Sequence, residues 1–343
     1  RLAQARFSPR WSRISPPCHP PYSPNPYTPP SPFPSAPRYD GPMIDKLEFL
    51  LALSRERHFG RAAEACGISQ PTLSSAVKSL EDQFGILIVE RGSRFRGFTP
   101  EGERVLDWAR RIVSDARTMR QEIDGLKRGL TGTLRLGVIP TALPYVPKLS
   151  LAFLERHSGV HLSIESMSTG TMYAGIDNLE IDIGITYIAT ESAQRFQTIP
   201  LYAEHYALLV APEHPLASRK AITWAEAARL PLCLLTRDMQ NRRLIDNHLG
   251  QAGTDVRPVL ESNSMTILHV HARSGSLATI AALGEGERFT PPMELVAIPL
   301  TEPTVTHEIG LTLKAREPHP PHVSAFVTCA KRIAKPRTPP PPK

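Results

Sequence analysis

Phe59-Gly60-Arg61-Ala62-Ala63-Glu64-Ala65-Cys66-Gly67-Ile68-Ser69-Gln70-Pro71-Thr72-Leu73-Ser74-Ser75-Ala76-Val77-Lys78-Ser79-Leu80-Glu81-Asp82-Gln83-Phe84-Gly85 is the stretch around which the rest of the chain is organised. It predicts two short helices joined by a sharp turn. Ala62 and Ala63 let a neighbouring helix come close, and Gly67 ends the first helix. Ser69 suits the N-cap of the second, and Pro71 falls in its first turn, where a missing N–H costs nothing. Leu73, Val77, Leu80 and Phe84 recur at spacings of four, three and four, which puts them on one apolar face.

The opposite face carries Gln70, Thr72, Ser75, Lys78 and Ser79, with the small residues Ser74 and Ala76 between them. A helix that enters the major groove of DNA needs short or amide side chains near its N-terminus, so that the backbone approaches and Gln or Thr reaches base edges. Gln70 is the expected base reader, with Pro71, Thr72, Ser74 and Ser75 around it and Lys78 on the phosphates. Arg91-Gly92-Ser93-Arg94-Phe95-Arg96-Gly97 follows, with three arginines, two glycines and no acid. That is the composition of a wing in which Arg91, Arg94 and Arg96 lie along phosphates or a minor groove. The competing interpretation is a small helical subdomain with an arginine-rich surface loop, since helix-turn-helix geometry also occurs in domains that bind no DNA.

Phe59, Ala62-Ala63, Ser69-Gln70-Pro71-Thr72-Leu73-Ser74, Leu80-Glu81, Phe84-Gly85, Arg91 and Phe98-Thr99-Pro100-Glu101-Gly102 together resemble the N-terminal signature of LysR-type transcriptional regulators. The chain departs from that pattern at Cys66 and Phe84, where leucine is usual, and at Val89, where phenylalanine is usual. All three are apolar exchanges at packing positions.

The net charge of +7 is unevenly spread over the 343 residues. Residues 1–42 hold five arginines against Asp40, and Lys335, Arg337 and Lys343 supply the rest, so the chain between is close to neutral. A DNA-binding surface must therefore be a local concentration of charge, and the global balance is poor evidence for it. Residues 1–42 also hold 13 of the 35 prolines, which builds neither helix nor sheet core. The expectation is a disordered segment of translated upstream sequence, with the working protein starting at Met43; residues 335–343 form a similar tail. Cys18, Cys66, Cys233 and Cys329 are too widely spaced for a Cys-x-x-Cys zinc site and suit a reducing cytoplasm. No apolar run approaches the roughly 18 residues of a membrane span, so no membrane partner is expected.

A winged helix-turn-helix domain is thus expected over 43–100, all helical but for its wing, followed by a long linker helix over 101–130. In that helix Val105, Ala109, Ile112, Ala116, Met119, Ile123 and Leu126 alternate at spacings of four and three. The stripe is narrow, which argues for a heptad seam that pairs with an identical helix in a homodimer. Leu130-Thr131-Gly132 breaks the helix, and strands then alternate with helices through 131–334, predicting parallel sheet with helices on its faces. The family resemblance implies an effector-binding α/β domain of two lobes, like type 2 periplasmic solute-binding proteins, with lobe I over 133–200 and 304–334 and lobe II over 201–303. It also implies tetramers built as dimers of dimers.

In such a domain ligands sit beyond the carboxyl ends of the strands, where loops and helix N-termini offer free N–H groups. The loops carrying Thr141-Ala142 and Ser168-Thr169 are rich in hydroxyls and small residues, and Thr236-Arg237 of the second lobe would face them. These residues suit a small organic acid or another anion as effector, although Thr141 and Ser168 would serve equally as helix caps. No nucleophile elbow, phosphate-binding loop or dinucleotide motif occurs, so no catalytic residue and no cofactor are expected. His269 and His271 stand two apart in a predicted helix and point to different sides, so no metal site is expected either. The alternative function is a small-molecule-binding or enzymatic α/β protein whose helical N-terminus only dimerises. Ser69-Gln70-Pro71-Thr72 and the arginine wing favour the regulator.

Overall fold

A computed structural model of the protein describes residues 42–90, 95–188, 195–253, 256–284, 294–315 and 317–334. The expectations for residues 1–41 and 335–343 lie outside these.

Three helices, α1 (Pro42–Glu56), α2 (Phe59–Ala65) and α3 (Gln70–Phe84), close on one core of Leu47, Leu50, Leu53, Ala62, Leu73, Val77 and Leu80. Each buried leucine contributes about 1.5–3 kcal/mol by leaving water. The imidazole Nδ1 of His58 accepts from the N–H groups of Gly60 and Arg61 and so caps α2. Ser69 Oγ accepts from Thr72 N at 3.3 Å and caps α3, which Gly85 ends at φ 68°, a backbone state that costs glycine little. Phe84 departs from the predicted core: it is 40 % exposed and lines a surface groove with Met43, Leu47, Val105, Trp108 and Ile112.

Helix α4 (Pro100–Arg128) begins under a Thr99 cap, with Thr99 Oγ1 accepting from Gly102 N at 2.9 Å. Gly102 is required there, because a Cβ would lie 2.1 Å from the Ile88 carbonyl oxygen. The start of α4 is part of the head, since Leu106, Ala109 and Val113 are buried in its core. Ala109 therefore belongs to that core and not to an open seam. Beyond it Ile112, Met119, Ile123 and Leu126 are exposed at 40 %, 47 %, 46 % and 88 %.

The remaining chain forms β1 (Gly132–Val138), a 3-10 segment (Pro140–Tyr145), α5 (Val146–Leu154), β2 (Val160–Ser166), α6 (Thr169–Asp177) and β3 (Ile183–Tyr187). There follow β4 (Phe196–Val210), β5 (Ile222–Thr223), α7 (Trp224–Ala227), β6 (Cys233–Leu235), α8 (Gln240–Gln251), β7 (Leu260–Ser262) and α9 (Met265–Arg273). Strands β8 (Thr279–Gly284), β9 (Val296–Thr301) and β10 (Thr306–Lys314) lead to α10 (Pro321–Ile333). The main sheet has the order β2-β1-β3-β10-β4-β9-β5, with β8 also on β4, and β6 pairs with β7 apart from it.

The sheet is mixed, which corrects the expectation of parallel strands. β1 runs parallel to β2 and β3, but β10 is antiparallel to β3 and to β4, and β4 is antiparallel to β8 and β9. The reason is that the chain crosses between lobes and returns, and the return strand must run opposite to its neighbours. One lobe closes on Leu134, Leu136, Phe153, Ile183, Leu311 and Phe326; the other closes on Leu208, Ile222, Trp224, Leu234, Ile245 and Ile298. Strand β4 serves both, pairing first with β10 and then with β8 and β9. The sequence pattern predicts this strand over His205 to Val210 only, and predicts none over β8.

Candidate DNA-binding surface and effector cleft

Helix α3 sorts its residues cleanly by face. Leu73, Ala76, Val77 and Leu80 are buried, whereas Gln70, Pro71, Thr72, Ser74, Ser75 and Lys78 are all exposed. Thr72 Oγ1 shares a hydrogen bond of 2.8 Å with Ser69 Oγ, which fixes the first turn. Ser79 leaves the polar face, because Lys46 Nζ donates to its Oγ at 2.9 Å and ties α1 to α3. Behind the helix, Glu81 Oε1 accepts from Ile88 N at 2.8 Å and Val89 N at 3.1 Å. The segment entering the wing is thereby anchored on α3, and an isolated antiparallel bridge pairs Val89 with Phe98. Arg96 is exposed; Arg91 and Arg94 lie outside the described residues. His58 and Glu81 are the positioning residues that spacing did not single out. A polar side chain just before a predicted helix was the available signal for the first.

In the C-terminal domain the expected site residues divide. Thr141 and Ala142 lie buried in the 3-10 segment after β1, and the Thr141 hydroxyl has no hydrogen-bond partner. Thr236, just after β6, also has a buried hydroxyl without a partner. Ser168 caps α6, accepting from Thr171 N at 3.3 Å. Thr169 is turned inward, with its Oγ1 2.9 Å from Thr186 Oγ1. Arg237 is exposed and lines a groove with Arg243, Asp246 and Leu249, a set that includes none of the other expected effector residues.

A polar cluster that the sequence did not single out bridges the lobes. Asn241 Nδ2, at the start of α8, donates to Tyr187 Oη at 2.8 Å, and Tyr187 O–H donates to Glu204 Oε2 at 3.0 Å. Tyr202 O–H donates to Glu204 Oε1 at 3.2 Å. Glu204 is 1 % exposed, and burial pushes its carboxyl up to about 7. Beside it His248 Nε2 and His307 Nε2 stand 3.2 Å apart, packed against Tyr206 and Trp224. Burial lowers both imidazoles below their usual range, and for His307 the neighbouring His248 adds to this. The signal for Glu204 was an acid within the strand Tyr202-Ala203-Glu204-His205-Tyr206, on the side facing its neighbours.

His269 and His271 both lie on α9, the first buried and the second half-buried with Nδ1 at 2.8 Å from Ile267 O. Among the described residues no group of three or more potential metal ligands gathers, and no helix is long and apolar enough to cross a membrane.

A helix-turn-helix head on a long helix, followed by a two-lobed mixed α/β domain with a polar interlobe cluster, is the architecture of a ligand-responsive transcriptional regulator. The chain belongs to the LysR family: residues 44–103 match the bacterial regulatory helix-turn-helix protein, lysR family, and residues 127–335 match the LysR substrate binding domain. It is similar to the DNA-binding transcriptional dual regulator OxyR of Escherichia coli, at 29 % identity over 283 residues, covering 80 % of this chain and 90 % of the relative. The hydrogen peroxide-inducible genes activator of Dickeya chrysanthemi is 31 % identical over 245 residues, covering 69 % and 78 %. Among solved structures, a cysteine-to-aspartate variant of full-length OxyR from Pseudomonas aeruginosa aligns with a TM-score of 0.65 at 26 % identity, covering 85 % of this chain and 99 % of that one. The protein is a DNA-binding LysR-type transcriptional regulator and not an enzyme.

Proposed function

We propose that the protein reads operator DNA with α3 and the wing as a homodimer paired along α4, itself able to form tetramers, and that it answers to a small organic acid held between the lobes. The observation that supports this most is the exposure of every polar residue at the start of α3 while the apolar ones behind them are buried. In this reading Gln70 reads a base, worth about 1–3 kcal/mol of discrimination, with Pro71, Thr72, Ser74 and Ser75 close to the groove floor. Lys78, Arg91, Arg94 and Arg96 neutralise phosphates. Gln70→Ala is expected to relax the preferred sequence in mobility-shift assays on promoter DNA. Arg96→Ala should instead weaken all sites alike and flatten the salt dependence. Equal losses on specific and random DNA for both variants count against this division.

The free hydroxyls of Thr141 and Thr236 and the start of α6 support an oxygen-bearing effector at the interlobe site. The relatives named for hydrogen peroxide raise a second class, a thiol that is oxidised. Cys66, Cys233 and Cys329 pack into three different cores, and burial pushes the thiols of Cys66 and Cys233 up, away from the reactive thiolate. These observations favour an effector that binds over one that oxidises any of these three cysteines.

A further inference from the structure

We infer that the interlobe polar cluster is a receptor for a protonated amine, so that the effector carries an ammonium group beside its acid, as an amino acid does; this rests on the interlobe reading of the effector site above. Glu204 carries the argument. The Glu204 carboxyl is 1 % exposed, and among the described residues its hydrogen-bond partners are Tyr187 and Tyr202, neither of them a cation. A carboxylate taken out of water without a counter-charge is costly, so the protein must either hold it protonated or receive a cation. Left alone, Glu204 sits at about 7, half ionised near neutrality. A ligand ammonium would be the missing counter-charge and would release the proton that Glu204 otherwise keeps.

The surroundings suit that group. Tyr206 and Trp224 pack 5.5 Å apart in the buried wall beside the cluster, and aromatic rings attract cations. Tyr206 Oη and Thr141 Oγ1 belong to residues only 3 % and 7 % exposed and have no partner, which leaves acceptors for ammonium N–H groups. His248 and His307 supply no competing charge, since burial keeps both neutral at physiological pH. An acid with no amine would bring a second negative charge to Glu204. Its carboxylate alone is therefore the wrong partner here, while the same carboxylate on an amino acid can turn to the start of α6.

The test uses the full chain and matched triplets of three to six carbons: an ω-amino acid, and the amine and the carboxylic acid of the same skeleton. Thermal shift and titration calorimetry at pH 6 and pH 8 read binding. Amine-bearing members should raise Tm, with affinity rising about tenfold from pH 6 to pH 8 as Glu204 ionises. Acids without the amine should bind more weakly, and Glu204→Gln and Tyr187→Phe should remove the amine's advantage. If Glu204→Gln does not fold, Tyr187→Phe and the wild-type pH dependence decide. Acids that stabilise as well as their amino acids, in wild type and Glu204→Gln alike, overturn the inference and leave the interlobe site standing. Failure of every triplet also overturns it. Amines that bind undiminished in both variants sit elsewhere, and then the interlobe reading falls as well.

Discussion

Thr169 and Thr186 share one hydrogen bond in the lobe interior, and neither hydroxyl reaches solvent. Thr169→Val keeps the shape but strands the Thr186 hydroxyl, so it should cost about 1–3 kcal/mol in urea unfolding. An unchanged midpoint would show that Thr186 finds another partner. The hydroxyl-rich loop was legible in the sequence, but its direction was not, because which way a side chain turns is set by the sheet beside it. Titration follows from the same kind of burial. His248, His269, His307, His319 and His322 all have imidazoles lowered by burial, so the stability they contribute is full above pH 6.5 and falls as pH drops below it. Glu204 acts with the opposite sign: raised from 4.5 to about 7, it contributes stability that is full below pH 4.5 and lost as pH rises through 7. Glu204→Gln should therefore compare more favourably with wild type at pH 8 than at pH 5, as read from urea midpoints. A constant difference across that range would mean that Glu204 titrates normally.

Helix α4 is where element-scale reasoning was strongest and also where it needed correction. The alternating four and three spacing marked the exposed stripe, yet it could not separate Ala109, which the head buries, from Ile112 onward, which it does not. Period alone cannot tell a seam facing a partner from one facing the chain's own core. The recognition helix was legible in more detail, because its caps, its apolar face and its polar face all follow from local chemistry at Ser69, Gly85 and the residues between. Strand β8 was missed because Thr279-Ile280-Ala281-Ala282-Leu283-Gly284 has no alternation, being covered on both sides over much of its length. Glu204 went unnoticed for a related reason, since its partners Tyr187 and Asn241 come from distant elements. Ile112→Glu places a charge in the exposed part of the stripe. It should shift the protein towards monomer in analytical ultracentrifugation and weaken DNA binding at least tenfold, with little change in unfolding. A variant that stays fully assembled argues for a different dimer surface.

At the scale of the whole molecule, strand β4 runs through both lobes, and residues 302–305 between β9 and β10 make the second crossing. Strand β4 pairs with β10 from Phe196 to His205 and with β8 and β9 from Glu204 to Val210, while β10 also pairs with β3. Every one of those partner strands of β4 comes from the last third of the chain, as does α10, whose Val323 and Phe326 complete the first lobe's core. The chain is consequently divisible. Expressed as two separate pieces, residues 1–253 and 256–343, it should reassemble through β4 without a covalent link. Co-purification of an untagged second piece on a tagged first piece would register this. If effector binding tightens the join, the pair becomes a fragment-complementation reporter whose signal tracks the ligand inside a living cell.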